Sequence, residues 1–71
     1  GIMVYPNPTG DILNIDTRLD VEVEVYNLQG KLMTREKSKR IDLSNYSNGV
    51  YNLILIYNNK RFTTRVIKQW N

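Results

Sequence analysis

Val21-Glu22-Val23-Glu24-Val25-Tyr26, residues 21–26, alternates apolar and polar side chains without a break. Successive side chains of a strand point to opposite faces, so the three valines share one face and Glu22, Glu24 and Tyr26 share the other. The segment reads as a strand with one dry side, and its two carboxylates are expected on a solvated face. Same-face neighbours on a strand stand about 7 Å apart, and no other sequence feature marks a pocket there. Paired acid/base chemistry is therefore not the expected role of Glu22 and Glu24.

Further along, Val50 to Tyr57 is the longest apolar-rich segment. Tyr51, Leu53, Leu55 and Tyr57 fall on one face, and Val50, Asn52, Ile54 and Ile56 on the other. Apolar residues on both faces predict a central strand or one with a covered second face. Asn58-Asn59 then predicts a tight hairpin, because Asn tolerates the left-handed region. Lys60 to Lys68 returns as the last strand, with Phe62, Thr64 and Val66 opposite Thr63, Arg65 and Ile67. A terminal hairpin of this kind often leaves its last strand at a sheet edge.

Shorter segments fill the rest. Met3-Val4-Tyr5 is extended and stops at Pro6-Asn7-Pro8, which lacks two amide donors and can join a sheet only at an edge. Ile12, Leu13 and Ile15 make a second strand, with Asn14 and Asp16 on its wet side. Asn27 to Gly30 is a turn, and Lys31 to Lys37 resumes extended structure. Arg35 to Arg40 is expected as a solvated hairpin tip. Ile41-Asp42-Leu43 is a brief strand, and the turn-rich Ser44 to Gly49 has room for one helical turn. Gly30 and Gly49 are expected at positive φ. Gln69-Trp70-Asn71 is a polar end with one aromatic ring.

Seven short strands at roughly ten-residue spacing predict an all-β sandwich of two antiparallel sheets, with residues 1–71 as a single domain. Composition agrees. Val, Ile, Thr, Tyr, Phe and Trp supply 25 of the 71 residues, and alanine, the best helix former, is absent. There is no cysteine and no histidine, which removes sulfur nucleophiles, the usual general base and the commonest metal ligands. No catalytic residue, metal ligand or cofactor-binding residue is expected, and Ser44, Ser47 and the threonines have no base near them in sequence. The longest apolar run, Leu53 to Tyr57, is too short to span a bilayer. Gly1 stands where an initiator methionine belongs, so the chain is expected to be a piece of a longer protein.

Charge is uneven. Residues 1–30 carry five carboxylates against Arg18 alone, and residues 31–71 carry nine cations against Glu36 and Asp42. The halves attract one another, as suits late strands packed beside early ones. The cations flank hairpins instead of interleaving with aromatic rings, so nucleic acid is not an expected partner. An accessory module holding glycan or protein is the competing reading, with Tyr5, Tyr26, Tyr46, Tyr57 and Trp70 as its aromatic platform.

Three stretches in order carry a resemblance. The first is Val4-Tyr5-Pro6-Asn7-Pro8-Thr9-Gly10 with Ile12-Leu13-Asn14-Ile15 after it. The second is Val23-Glu24-Val25-Tyr26-Asn27-Leu28-Gln29-Gly30-Lys31. The third comprises Ile41-Asp42-Leu43-Ser44, Asn48-Gly49-Val50-Tyr51 and Arg65-Val66-Ile67-Lys68-Gln69. Together they resemble the C-terminal sorting domain, type A, of proteins exported by the type IX secretion system of Bacteroidota, from Val4 to Gln69.

The resemblance implies an immunoglobulin-like sandwich that catalyses nothing and stands last in a secreted or surface protein, fused behind its cargo. It implies transit through the periplasm, recognition by the outer-membrane translocon, and cleavage ahead of the domain by a sortase-like cysteine peptidase at the cell surface. The cargo is then anchored or released. Pro6, Asn7 and Pro8 match the family's opening motif, Gly30 its mid-domain glycine, and Gly49 with Tyr51 its Gly-x-Tyr motif. Arg65 and Lys68 match basic positions of the terminal strand, which runs from about Lys60 and is the part most tied to export. Arg65 stands where Lys is commoner, and the ending 69–71 runs slightly past the usual stop. A monomer is expected, with an edge-paired or strand-swapped dimer as the alternative.

Overall fold

A computed structural model describes residues 1–70; Asn71, the last residue of the expected polar end, lies outside them. Seven strands follow in order: β1 (Met3–Tyr5), β2 (Ile12–Asp16), β3 (Glu22–Tyr26), β4 (Leu32–Glu36), β5 (Arg40–Asp42), β6 (Gly49–Tyr57) and β7 (Lys60–Lys68). They form a three-stranded sheet, β1-β2-β5, and a four-stranded sheet, β4-β3-β6-β7, with every strand pair antiparallel. The order is that of an immunoglobulin constant-type sandwich whose fourth strand has moved to the opposite sheet, beside the third. The all-β, two-sheet expectation holds.

The alternation read from sequence places the core. Val23, Val25, Tyr51, Leu53, Leu55 and Val66 of the four-stranded sheet meet Leu13, Ile15, Ile41 and Leu43 of the other, all buried. Val23 pairs with Leu55 and Val25 with Leu53, which locks the register of β3 against the central strand β6. A one-residue slip would turn every one of these side chains outward.

The turns obey residue chemistry. Asn58 and Asn59 take φ of 49° and 59°, forming the expected two-residue hairpin. Gly30, at φ 87°, lies in the five-residue connection between β3 and β4, where its amide donates to the Asn27 carbonyl at 3.0 Å. The Asn27 Oδ1 accepts from the amides of Gln29 and Lys31.

Two expectations need correction. Residues 35–40 are not a hairpin tip: β4 and β5 belong to different sheets, and Lys37-Ser38-Lys39 carries the chain between them. Ile41 is drawn away from β4 because its partner is Leu13 on β2. Ser44 to Gly49 holds no helical turn; a bond from the Tyr46 amide to the Leu43 carbonyl makes a simple reverse turn. Gly49 takes the expected positive φ, 158°, outside the left-handed well, and it opens the β6 ladder opposite Lys68.

Candidate functional site

The terminal strand β7 is an edge strand, and its two halves differ. Its even-numbered residues face β6 for hydrogen bonding, since the two-residue hairpin makes Tyr57 and Lys60 a bonded pair and the register then runs unbroken to Gly49–Lys68. Odd-numbered residues therefore point their amides and carbonyls away from the sheet. From Arg65 onward those outward groups are taken. The Asn7 Nδ2 donates to the Arg65 carbonyl at 2.9 Å, and the Ile67 amide donates to the Asn7 Oδ1 at 2.9 Å. The Thr9 amide donates to the Ile67 carbonyl and the Gln69 amide to the Thr9 carbonyl, both at 2.8 Å.

Pro6-Asn7-Pro8-Thr9 is thus a strap across β7. The two prolines, both after cis peptide bonds, cannot donate, and the Asn7 side-chain amide supplies the donor and acceptor a strand backbone would otherwise present. Thr9 is buried at the end of the strap, in a parallel bridge to Lys68, with its hydroxyl donating to the Ile12 carbonyl at 2.6 Å. A second amide does the same work on the other side. Asn48 donates from Nδ2 to the Trp70 carbonyl and accepts the Trp70 amide at Oδ1, both at 2.9 Å. It prolongs the β6–β7 ladder beyond Gly49.

Tyr51 has a defined task in this arrangement. Its ring is buried beside Tyr46, with centroids 5.6 Å apart, while its hydroxyl donates to the Ser47 carbonyl four residues upstream at 2.7 Å. A tyrosine near the start of the sixth strand that ties back to the preceding corner is the tyrosine corner of immunoglobulin-like sandwiches. Tyr51→Phe is expected to destabilise the domain by about 1 kcal/mol, lowering the melting temperature by about 4–8 °C at this size. An unchanged melting curve would show that the hydroxyl bond adds nothing.

The sequence-predicted residues fall into separate places. Asn7, between Pro6 and Pro8, is bonded to Arg65 and Ile67, and Gly49 and Tyr51 pair with Lys68 and Val66. Gly30 shares with Arg65 an open groove of about 470 Å³ on the outer face of the four-stranded sheet. Lys60 sits at the far hairpin, roughly 27 Å along the strand from Lys68. Lys68 itself was expected as a cation flanking an open edge. It is instead only 6% exposed, because it keeps the inward parity of Val66, and it lines a small hollow with Gly10, Ser44 and Trp70. Thr9 and Asn48 are the residues that the sequence reading missed.

Charge holds one more surprise. Glu24, expected in solvent, is 4% exposed. Its Oε2 lies 2.9 Å from the Arg35 Nε and 2.8 Å from the Arg35 Nη2; its Oε1 accepts the Tyr26 hydroxyl at 3.0 Å and lies 3.7 Å from the Arg61 Nη2. The hydrogen bond from Arg35 outweighs burial and holds the Glu24 carboxyl below its ordinary pKa. Asp42 is likewise lowered, chiefly by hydrogen bonding from Ser44.

No shared aromatic platform forms: Tyr5 is on β1, Tyr26 on the outer face of the four-stranded sheet, Tyr46 against the core, Tyr57 near the Asn58-Asn59 hairpin, and Trp70 over Gly10. The concave features are open grooves between loops and along sheet faces. What the fold defines is a small immunoglobulin-like module whose early strap is buttoned to its last strand.

The family of secretion system C-terminal sorting domains matches residues 3–69, and the chain belongs to it. These are the sorting tails of type IX secretion. The chain is similar to Beta-agarase D of Zobellia galactanivorans, with 43% identity over 52 residues. That match covers 70% of this chain and 11% of the relative, so the chain spans about a tenth of the relative's length. Membership makes the domain the tail of a cargo protein that the secretion system exports to the cell surface or the medium.

Proposed function

We propose that this domain carries its fused cargo from the periplasm through the outer-membrane type IX translocon, and that a sortase-like cysteine peptidase then cuts ahead of it at the cell surface. The observation that supports this is the match of residues 3–69 to the sorting-domain family. In this reading the domain takes no part in bond-making. The terminal hairpin, Val50 to Lys68, is the element read, and the strap at Pro6, Asn7 and Pro8 holds it in shape close behind the cut. Gly30, Gly49 and Tyr51 act through folding. Lys60 and Arg65, both exposed, are available to a receptor, while Lys68 acts from inside.

The test is a fluorescent protein fused ahead of the whole chain in a type IX-competent cell. Fluorescence is expected at the surface or in the medium with residues 1–71, and retained in the periplasm when 60–71 are deleted. Equal export of both fusions would overturn the reading.

A further inference from the structure

The strap covers β7 only from the Arg65 carbonyl onward. By the parity established above, the amides and carbonyls of Arg61 and Thr63 and the amide of Arg65 point outward from the sheet. No bond among the described residues engages them. All three residues are exposed. Beside this window lies the open groove on the outer face, floored by Tyr26, Asn52 and Ile54 and edged by Thr63 and Arg65.

We infer that the window Arg61–Arg65 is a strand-acceptor site for an extended segment of the secretion receptor that carries an acidic side chain. This rests on the sorting function proposed above and names the chemistry of its partner. Unpaired strand groups are satisfied by another strand, whose alternate side chains land on the faces of the sheet it joins. Here the outward row is Arg61, Thr63, Arg65. Arg65 has no carboxylate partner among the described residues, and Arg61 reaches only the outlying oxygen of a Glu24 already held by Arg35. An acidic residue on the incoming strand would meet an unneutralised guanidinium.

A second copy of the chain is the poorer occupant. Antiparallel self-pairing centred on Thr63 would set Arg61 opposite Arg65 of the other copy, and like charges directly opposite oppose pairing. The cationic window thus discriminates against itself and in favour of an acidic strand.

Thr63→Pro separates this site from the fold. Proline removes an amide that points away from β6, and edge positions with the amide outward tolerate it. In the fluorescent fusion, Thr63→Pro is expected to reduce export at least about tenfold (about 1.4 kcal/mol) with the thermal melt of the isolated domain retained, while Thr63→Val exports normally. Arg61→Glu with Arg65→Glu, which leaves the backbone window intact, should lose export as well, and Arg61→Lys with Arg65→Lys should keep it. Normal export of a folded Thr63→Pro or of the double Glu variant would overturn the inference. Should Thr63→Pro fail to fold, the double Glu variant decides. Retention of the fusion lacking 60–71, alongside normal export of these variants, would leave the sorting function standing and remove only the strand-acceptor site.

Discussion

Asn7→Ala is expected to lower the melting temperature by about 10 °C and to release the Ile67 amide to rapid hydrogen exchange. One side chain makes both bonds that seal β7 next to Arg65, and neither has a substitute among the described residues. Two hydrogen bonds at about 1 kcal/mol each are a large share of the stability of a domain this small. The loss should be larger than two bonds alone suggest. Thr9 is aligned by the same strap, and its backbone pair with Ile67 and Gln69 depends on Asn7 holding the segment down.

A second readout distinguishes a lost bond from a lost cover. With the strap loosened, the outward groups of Arg65, Ile67 and Gln69 join the free ones at Arg61 and Thr63, giving an open edge along most of β7. Long open edges pair with other chains. Asn7→Ala is therefore expected to show concentration-dependent association by sedimentation, in a register that avoids the facing arginines, while the parent stays monomeric. If the variant melts with the parent and its Ile67 amide stays protected, the strap contributes nothing and the reading of Pro6-Asn7-Pro8 as a clasp is lost.

The valines of β3, the two-faced β6 and the Asn58-Asn59 hairpin were legible because side-chain alternation and turn chemistry are local. Lys68 was legible too: it continues the parity of Thr64 and Val66 and so points inward. A cation is ordinarily expected in solvent, and at Lys68 the parity of the strand overrides that expectation. The strap was beyond reach, because an asparagine amide imitating a strand is a matter of two segments 58 and 60 residues apart meeting. The path of residues 37–39 between sheets was also hidden. Periodicity tells which face of a strand is dry, but not which sheet the strand joins.

Glu24 is the instructive failure, and it carries the second large effect. Alternation put it on the polar face of β3, which is right, yet β3 lies between β4 and β6. Arg35 stands directly opposite on β4 and Ile54 directly opposite on β6, so long side chains close over the carboxylate. Glu24→Ala is expected to cost about 1–2 kcal/mol, kept low because the Arg35 side chain is half exposed and can turn to water.

The pH dependence has a definite sign. Glu24 is held below its ordinary value of 4.5 in the folded protein, first by the hydrogen bond from Arg35. Its contribution is therefore complete above about pH 4.5, the unfolded value, and is lost as pH falls through the lower folded value. Asp42 shifts in the same direction and also weakens the fold in acid. The difference in melting temperature between the parent and Glu24→Gln isolates the Glu24 share. It should be constant from pH 7 to about 5 and shrink as acid protonates the parent carboxylate. A difference that stays constant down to pH 2 would mean that the Arg35 pair does not stabilise the folded state, and that Glu24 is held in place by packing alone.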